Sequence, residues 1–284
     1  MMKVRLSARG LDLKVKKVKI AAGARHIPAL VVGPRTPVNN APGVLWTHGG
    51  GYLTGMKEMV FMTRAVDLVE RFGAVVVSPG YRLSWQAPYP AAINDCWAAL
   101  LWLRDHAKRL GVNDAQLMVG GESAGGGLAA SLALRARDTG EVQLAYQMPL
   151  YPMIDNLDTV TSRKNKAKVW DTRRNHAAWR LYLRQDAKSR EAEPYAAAAR
   201  ALDLSGLPPL YTFVSTAEPF YAETLAYVLR LRSSGVAAEV DVYDGLYHAF
   251  DMLEPDLPES VLARERFCEQ FAWAAEHCFA PQER

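Results

Sequence analysis

Short apolar runs and longer amphipathic stretches alternate along most of the chain, the pattern of a mostly parallel sheet covered by helices on both faces. Residues 11–20 and 26–32 alternate well enough to predict an opening antiparallel hairpin. Further strands are expected at 43–47, 74–78, 117–120, 144–151, 210–214 and 238–243. Helices are expected at 65–71, 91–110, 124–137, 222–233 and 259–278. In the 91–110 stretch, Ile93, Trp97, Leu100, Leu101 and Leu103 recur at near-helical spacing, and Phe267, Phe271, Ala274 and Cys278 place one docking face on the last helix.

Residues 155–205 break the alternation. They hold no buried-strand pattern, carry Trp170, Trp179, Tyr182 and Leu183, and include a basic cluster of Arg163, Lys164, Lys166, Lys168, Arg173 and Arg174. A long insertion between strands of a compact domain is usually functional or a lid. The tryptophans are expected to pack it onto the rest of the molecule, and the basic cluster to form a solvated face. The expectation is one α/β domain over residues 1–284, with 155–205 as its small helical cap.

Composition narrows the picture. In 284 residues, 34 Lys and Arg against 30 Asp and Glu leave a net charge of only +4, which argues against a polyanionic partner such as nucleic acid. The first twenty residues contain no unbroken apolar h-region, and no later stretch approaches eighteen consecutive apolar residues, so neither a secretory signal nor membrane insertion is expected. Cys96, Cys268 and Cys278 are an odd count without metal-ligand spacing; buried free thiols in a reducing, cytoplasmic compartment are the expectation.

The chemistry starts at Gly121-Glu122-Ser123-Ala124-Gly125, set between an apolar strand and an Ala/Leu-rich helix. Flanking glycines permit a strained strand-to-helix turn that lifts the Ser123 hydroxyl into the open, and the helix N-terminus favours developing negative charge. Well upstream, His48-Gly49-Gly50-Gly51 follows the strand at 43–47. Consecutive glycines let backbone N–H groups approach a substrate that any Cβ would exclude, so Gly50, Gly51 and Ala124 are the expected oxyanion donors. A neutral serine needs a base. Of His26, His48, His106, His176, His248 and His277, only His248 follows a late strand by a short loop, as the Ser–acid–His order of such folds demands. The orienting acid is expected just after the strand at 210–214, where Glu218 is the first carboxylate; Asp155 is the weaker rival.

With these residues in place, the chain resembles the hormone-sensitive-lipase-like esterases of the α/β-hydrolase superfamily. The blocks HGGGYLTG, YRLSWQAPYPAAINDCWAALLWL, GGESAGGGLAASLAL and EPYAAAARALDLSGLPPLY stand in the family's order between about Val44 and Phe250. The resemblance implies an eight-stranded, mostly parallel sheet, a cap over the site, no metal or other cofactor, and hydrolysis of short acyl esters. Two departures stand out. The family's D-P-L-x-x-E loop reads Glu218-Pro219-Phe220-Tyr221-Ala222-Glu223, so the acid is one methylene longer. Only 47 residues precede His48, fewer than many relatives use for an N-terminal cap, which leaves 155–205 as the main cap over a comparatively open site.

Three functions compete on this pattern. The first is a serine carboxylesterase acting on a small-molecule ester. The second is an amide or formamide hydrolase with the same triad, and the third a non-catalytic binder like the plant hormone receptors that resemble this family. Tyr52, Phe220, Tyr221 and Tyr247 flank motif residues and are candidates for lining an acyl pocket, with ordinary core packing the equal alternative for each. Oligomeric state is open, a homodimer included.

Overall fold

The structure is a computed structural model that describes residues 10–36, 38–184 and 192–282. Eight strands form one sheet: β1 (Leu13–Ala22), β2 (Arg25–Pro34), β3 (Ala41–Thr47), β4 (Val75–Pro79), β5 (Val112–Glu122), β6 (Tyr146–Leu150), β7 (Leu210–Ser215) and β8 (Ala238–Tyr243). Their spatial order is β1-β2-β4-β3-β5-β6-β7-β8. β1 and β2 form the expected antiparallel hairpin, β2 pairs antiparallel with β4, and every pairing from β4 to β8 is parallel.

The helices are α1 (Ala65–Phe72), α2 (Ala91–Leu110), α3 (Ala124–Thr139), α4 (Thr172–Leu183), α5 (Tyr221–Ser233), α6 (Phe250–Leu253) and α7 (Pro258–His277). The strand side chains sort by parity, because successive residues of a strand point to opposite faces. Leu45, Val75, Val77, Leu117 and Val119 meet Cys96, Leu100, Leu132 and Leu231 from α2, α3 and α5 on one face. Val44, Trp46, Val76 and Met118 meet Leu68, Phe267 and Phe271 from α1 and α7 on the other. Fully burying a Leu or Phe is worth about 1.5–3 kcal/mol, so these two layers hold the sheet and everything its strand ends carry.

Several boundaries shift from expectation. β5 starts at Val112, well before residue 117, since Val112 pairs with Ala41 across a register irregularity. The insertion, expected to be helical but without stated bounds, holds α4; Asp171 caps it by accepting from Arg174 N–H at 2.8 Å. Residues 185–191 of that insertion lie outside the described residues. Cys96, Cys268 and Cys278 are free and buried. Among the described residues, no helix is long and apolar enough to cross a membrane. Because β3 to β8 run parallel, the segments carrying the glycine loop, Ser123, Glu218 and His248 all leave the sheet at its carboxyl edge, where ligand sites of α/β folds gather.

Candidate active site

β5 ends at Glu122 and α3 begins at Ala124, so the whole change of direction falls on Ser123, at φ 59 and ψ −120. An L-residue there is strained by on the order of 1–3 kcal/mol. The turn survives because its neighbours over-determine it. Thr47 Oγ1 donates to the carbonyls of Gly120 (3.1 Å) and Gly125 (2.7 Å), and Ser123 N–H donates to Leu150 O at 3.0 Å. A Cβ on Gly125 would lie 2.0 Å from Thr47 O, so glycine is the residue that lets α3 pack this closely on β3.

His248 Nε2 lies 2.8 Å from Ser123 Oγ, and His248 Nδ1 lies 2.5 Å from Glu218 Oε2. A carboxylate only accepts, so in the neutral ring the proton sits on Nδ1 and the Nε2 lone pair faces the serine. Glu218 is held in turn by Ser215 N–H, which donates to its other oxygen, Oε1, at 2.8 Å. Tyr151 and Phe220 pack edge-on against the imidazole, with centroids 5.1 and 5.0 Å away. The His248 loop is pinned by Leu246 N–H donating to Ser215 Oγ at 2.9 Å and Gly245 N–H donating to Thr216 Oγ1 at 2.8 Å. Ser123, His248 and Glu218 are all buried.

The glycine loop is stiffened from behind. His48 Nδ1 donates to Gly49 O at 2.8 Å, the ring stacks on Tyr81 at 4.1 Å, and Tyr81 Oη donates to His48 O at 2.7 Å. Burial pushes the His48 imidazole down to about 4, so it is neutral at pH 7 and serves as a structural ring. Gly50 O accepts from Leu53 and Thr54 N–H, a tight turn that leaves the Gly50 and Gly51 N–H groups free of backbone acceptors among the described residues. Ala124 N–H opens α3, a helix of 16 residues whose dipole favours negative charge at that end.

The rival acid and the remaining histidines fall elsewhere, as do Asp241 and Asp244, which shortly precede His248 in sequence. Asp155 pairs with Arg200 at 2.6 Å, Asp241 accepts from Tyr211 Oη at 2.8 Å, and Asp244 accepts from Thr216 Oγ1 at 2.7 Å. His106 and His277 bond carbonyls one helical turn back, and His176 pairs with Asp158. Tyr52 takes a packing role: it is buried, stacks on Tyr182 at 4.0 Å, and donates from Oη to Met153 O at 3.1 Å. Tyr221 starts α5 half-buried, and the Tyr247 hydroxyl bonds Glu254. Among the described residues, no group of three or more His, Cys, Asp or Glu converges as metal ligands would.

Three features lay beyond sequence reasoning. Trp170, from the insertion, lies against Gly51 and within 6.5 Å of the His248 ring. Glu122, the residue before Ser123 in the pentapeptide, is fully buried and accepts from Trp46 Nε1 at 3.0 Å on both oxygens. Burial, with Asp251 nearby adding to it, pushes the Glu122 carboxyl up to about 8. Asp251 is buried between Tyr151 Oη at 3.0 Å and Arg64 at 3.5 Å, its carboxyl raised chiefly by burial.

The sheet order and the strained turn after β5 define an α/β hydrolase. The sequence model of the alpha/beta hydrolase fold family matches residues 44–252. The chain belongs to that family, among its hormone-sensitive-lipase-like esterases. It is 33% identical to esterase LipI of Mycobacterium tuberculosis over 243 residues, covering 84% of this chain and 75% of that protein. Carboxylesterase NlhH of the same organism is 34% identical over 233 residues, 80% of this chain and 72% of its own. A solved bacterial heroin esterase superposes with a TM-score of 0.86 at 31% identity, covering 94% of this chain and 83% of that one.

Proposed function

We propose that the protein is a serine carboxylesterase that cleaves short-chain acyl esters through an acyl-enzyme. Ser123 Oγ attacks the ester carbonyl while His248 Nε2 takes its proton. The N–H groups of Gly50, Gly51 and Ala124 hold the oxyanion, and Glu218 orients the ring and stabilises the imidazolium. His248 then delivers the proton to the departing alkoxide, and water, activated by the same histidine, clears the acyl group. The observation that carries this reading is the relay from Ser123 Oγ to His248 Nε2 at 2.8 Å and from Nδ1 to Glu218 Oε2 at 2.5 Å.

The 155–205 insertion serves as the cap. Asn165 Nδ2 donates to Ala217 O at 3.0 Å and Thr161 Oγ1 to Pro219 O at 2.9 Å, which ties the insertion to the loop holding Glu218. Trp170 on Gly51 narrows the space above the serine, which supports small substrates. A graded series of p-nitrophenyl esters, run beside matched anilides, tests the assignment. Hydrolysis that peaks at short acyl chains and exceeds anilide hydrolysis agrees with it; anilide turnover equal to or above ester turnover points to an amidase.

A further inference from the structure

We infer that Trp170 is the specificity-determining wall on the leaving-group side of this site, discriminating against esters of thick, non-planar alcohols. The inference rests on the esterase reading above and deepens it.

Its position comes from two contacts. A Cβ on Gly51 would stand 2.1 Å from Trp170 Cη2 and 2.8 Å from Cζ2, so the six-membered edge of the indole lies on the bare α-carbon of an oxyanion glycine. The same ring sits 6.5 Å, centroid to centroid, from His248. It therefore spans the gap between the oxyanion donors and the base. In the acyl-transfer step Ser123 Oγ bonds to the carbonyl carbon and the bond from that carbon to the alcohol oxygen breaks. The electron pair leaves on the alcohol oxygen, which takes up the proton His248 accepted from Ser123. The alcohol must leave past His248 Nε2 with the carbonyl oxygen on the glycines, and that is the sector Trp170 encloses.

Trp170 is held there in a way a merely packed side chain does not require. Its N–H donates to Lys168 O at 2.8 Å, closing a three-residue turn around Val169 at φ 68. Val169 is the one β-branched residue with positive φ among the described residues, and both the turn and the residue type are strained. Nε1 donates to the buried Asn175 Oδ1 at 3.3 Å, and Asp171 caps α4 immediately afterwards. Trp179, on the same insertion, is by contrast fully buried against Tyr52 and Tyr182, whereas Trp170 keeps part of its surface open.

The test varies the two halves of the ester separately. Wild type, Trp170→Ala, Trp170→Phe and Val169→Gly are assayed on ethyl, cyclohexyl and 2-naphthyl acetates, and on p-nitrophenyl acetate, butyrate and hexanoate. Trp170→Ala is expected to raise the cyclohexyl-to-ethyl ratio of kcat/KM by about tenfold or more, the scale of discrimination a hydrophobic wall supplies. Trp170→Phe and Val169→Gly should fall between it and wild type, and they carry the test if the alanine variant does not fold. The acyl-length ratios should move by less than about threefold. Alcohol ratios that stay within about twofold in every folded variant, or a change confined to the acyl series, would overturn the inference while leaving the esterase reading intact. A wild-type protein that turns over none of these esters and is not labelled at Ser123 by a fluorophosphonate defeats the esterase reading itself, and the inference with it.

Discussion

Replacing Glu218 by glutamine tests the relay at its least expected member. Ser215 N–H occupies the Oε1 position at 2.8 Å, so a glutamine there must keep its oxygen at that place; turned the other way, two donors would face each other. The amide NH2 then falls at the Oε2 position beside His248 Nδ1, donates to it, and drives the ring proton to Nε2. A ring with N–H facing Ser123 Oγ has no lone pair to take the serine proton. The expected loss is about 10³–10⁴ in kcat, the scale seen when a triad acid becomes an amide, or about 4–5.5 kcal/mol of barrier. KM should stay near the wild-type value, since substrate does not touch this side chain. Glu218→Asp shortens the arm by about 1.5 Å, so the carboxylate cannot keep Ser215 N–H and reach Nδ1 together; a loss of about 10–100-fold is expected. Steady-state hydrolysis of p-nitrophenyl acetate, with circular dichroism to verify folding, measures both. A folded Glu218→Gln protein within about tenfold of wild-type kcat would refute the tautomer argument.

Two further predictions concern the buried acids. Glu122 has its carboxyl pushed up to about 8 from 4.5, so between those values the folded chain holds a proton that the unfolded chain releases; stability falls as pH rises through that window. Glu122→Gln keeps an acceptor for Trp46 Nε1 and removes the titration. It should therefore gain on wild type, by on the order of a few kcal/mol, between about pH 5 and pH 9; parallel melting-temperature curves for the two proteins would contradict this. Glu223 Oε1 accepts from the N–H groups of Ile154 (2.9 Å) and Asp155 (3.2 Å), and burial, reinforced by Asp155, raises its carboxyl well above the usual range. Glu223→Ala strands two buried donors and should cost about 2–5 kcal/mol in urea unfolding, while Glu223→Gln should cost far less; equal losses would show that the acceptor is not what matters.

Local signals account for what was legible in the sequence. Ser123 stands in a pentapeptide between an apolar strand and a helix former, and His248 is the one histidine behind a late strand, so each was marked by its own neighbourhood. All eight strands were legible: β3, β4, β6 and β7, buried throughout, write near-continuous apolar runs, and the half-exposed hairpin β1–β2 writes an alternation. The start of β5 was not, because Asn113 and Asp114 look like a turn and only the pairing of Val112 with Ala41 makes them strand. The cap was expected to be helical, but the bounds of α4 were hidden because Arg173, Arg174 and Arg180 are exposed on it and just Asn175, Ala178, Trp179 and Tyr182 are buried. The contact of Trp170 with Gly51 and the pairing of Glu122 with Trp46 join distant segments, and no local pattern encodes them. A buried carboxylate also runs against the rule that acids mark the surface.

Mass spectrometry of the intact protein after reaction with a fluorophosphonate, followed by peptide mapping, tests the central claim most directly. The account predicts one adduct per chain, on Ser123, formed in step with loss of esterase activity and absent from Ser123→Ala. An adduct on another residue, or a Ser123→Ala protein that still hydrolyses p-nitrophenyl acetate at a rate near wild type, would contradict it.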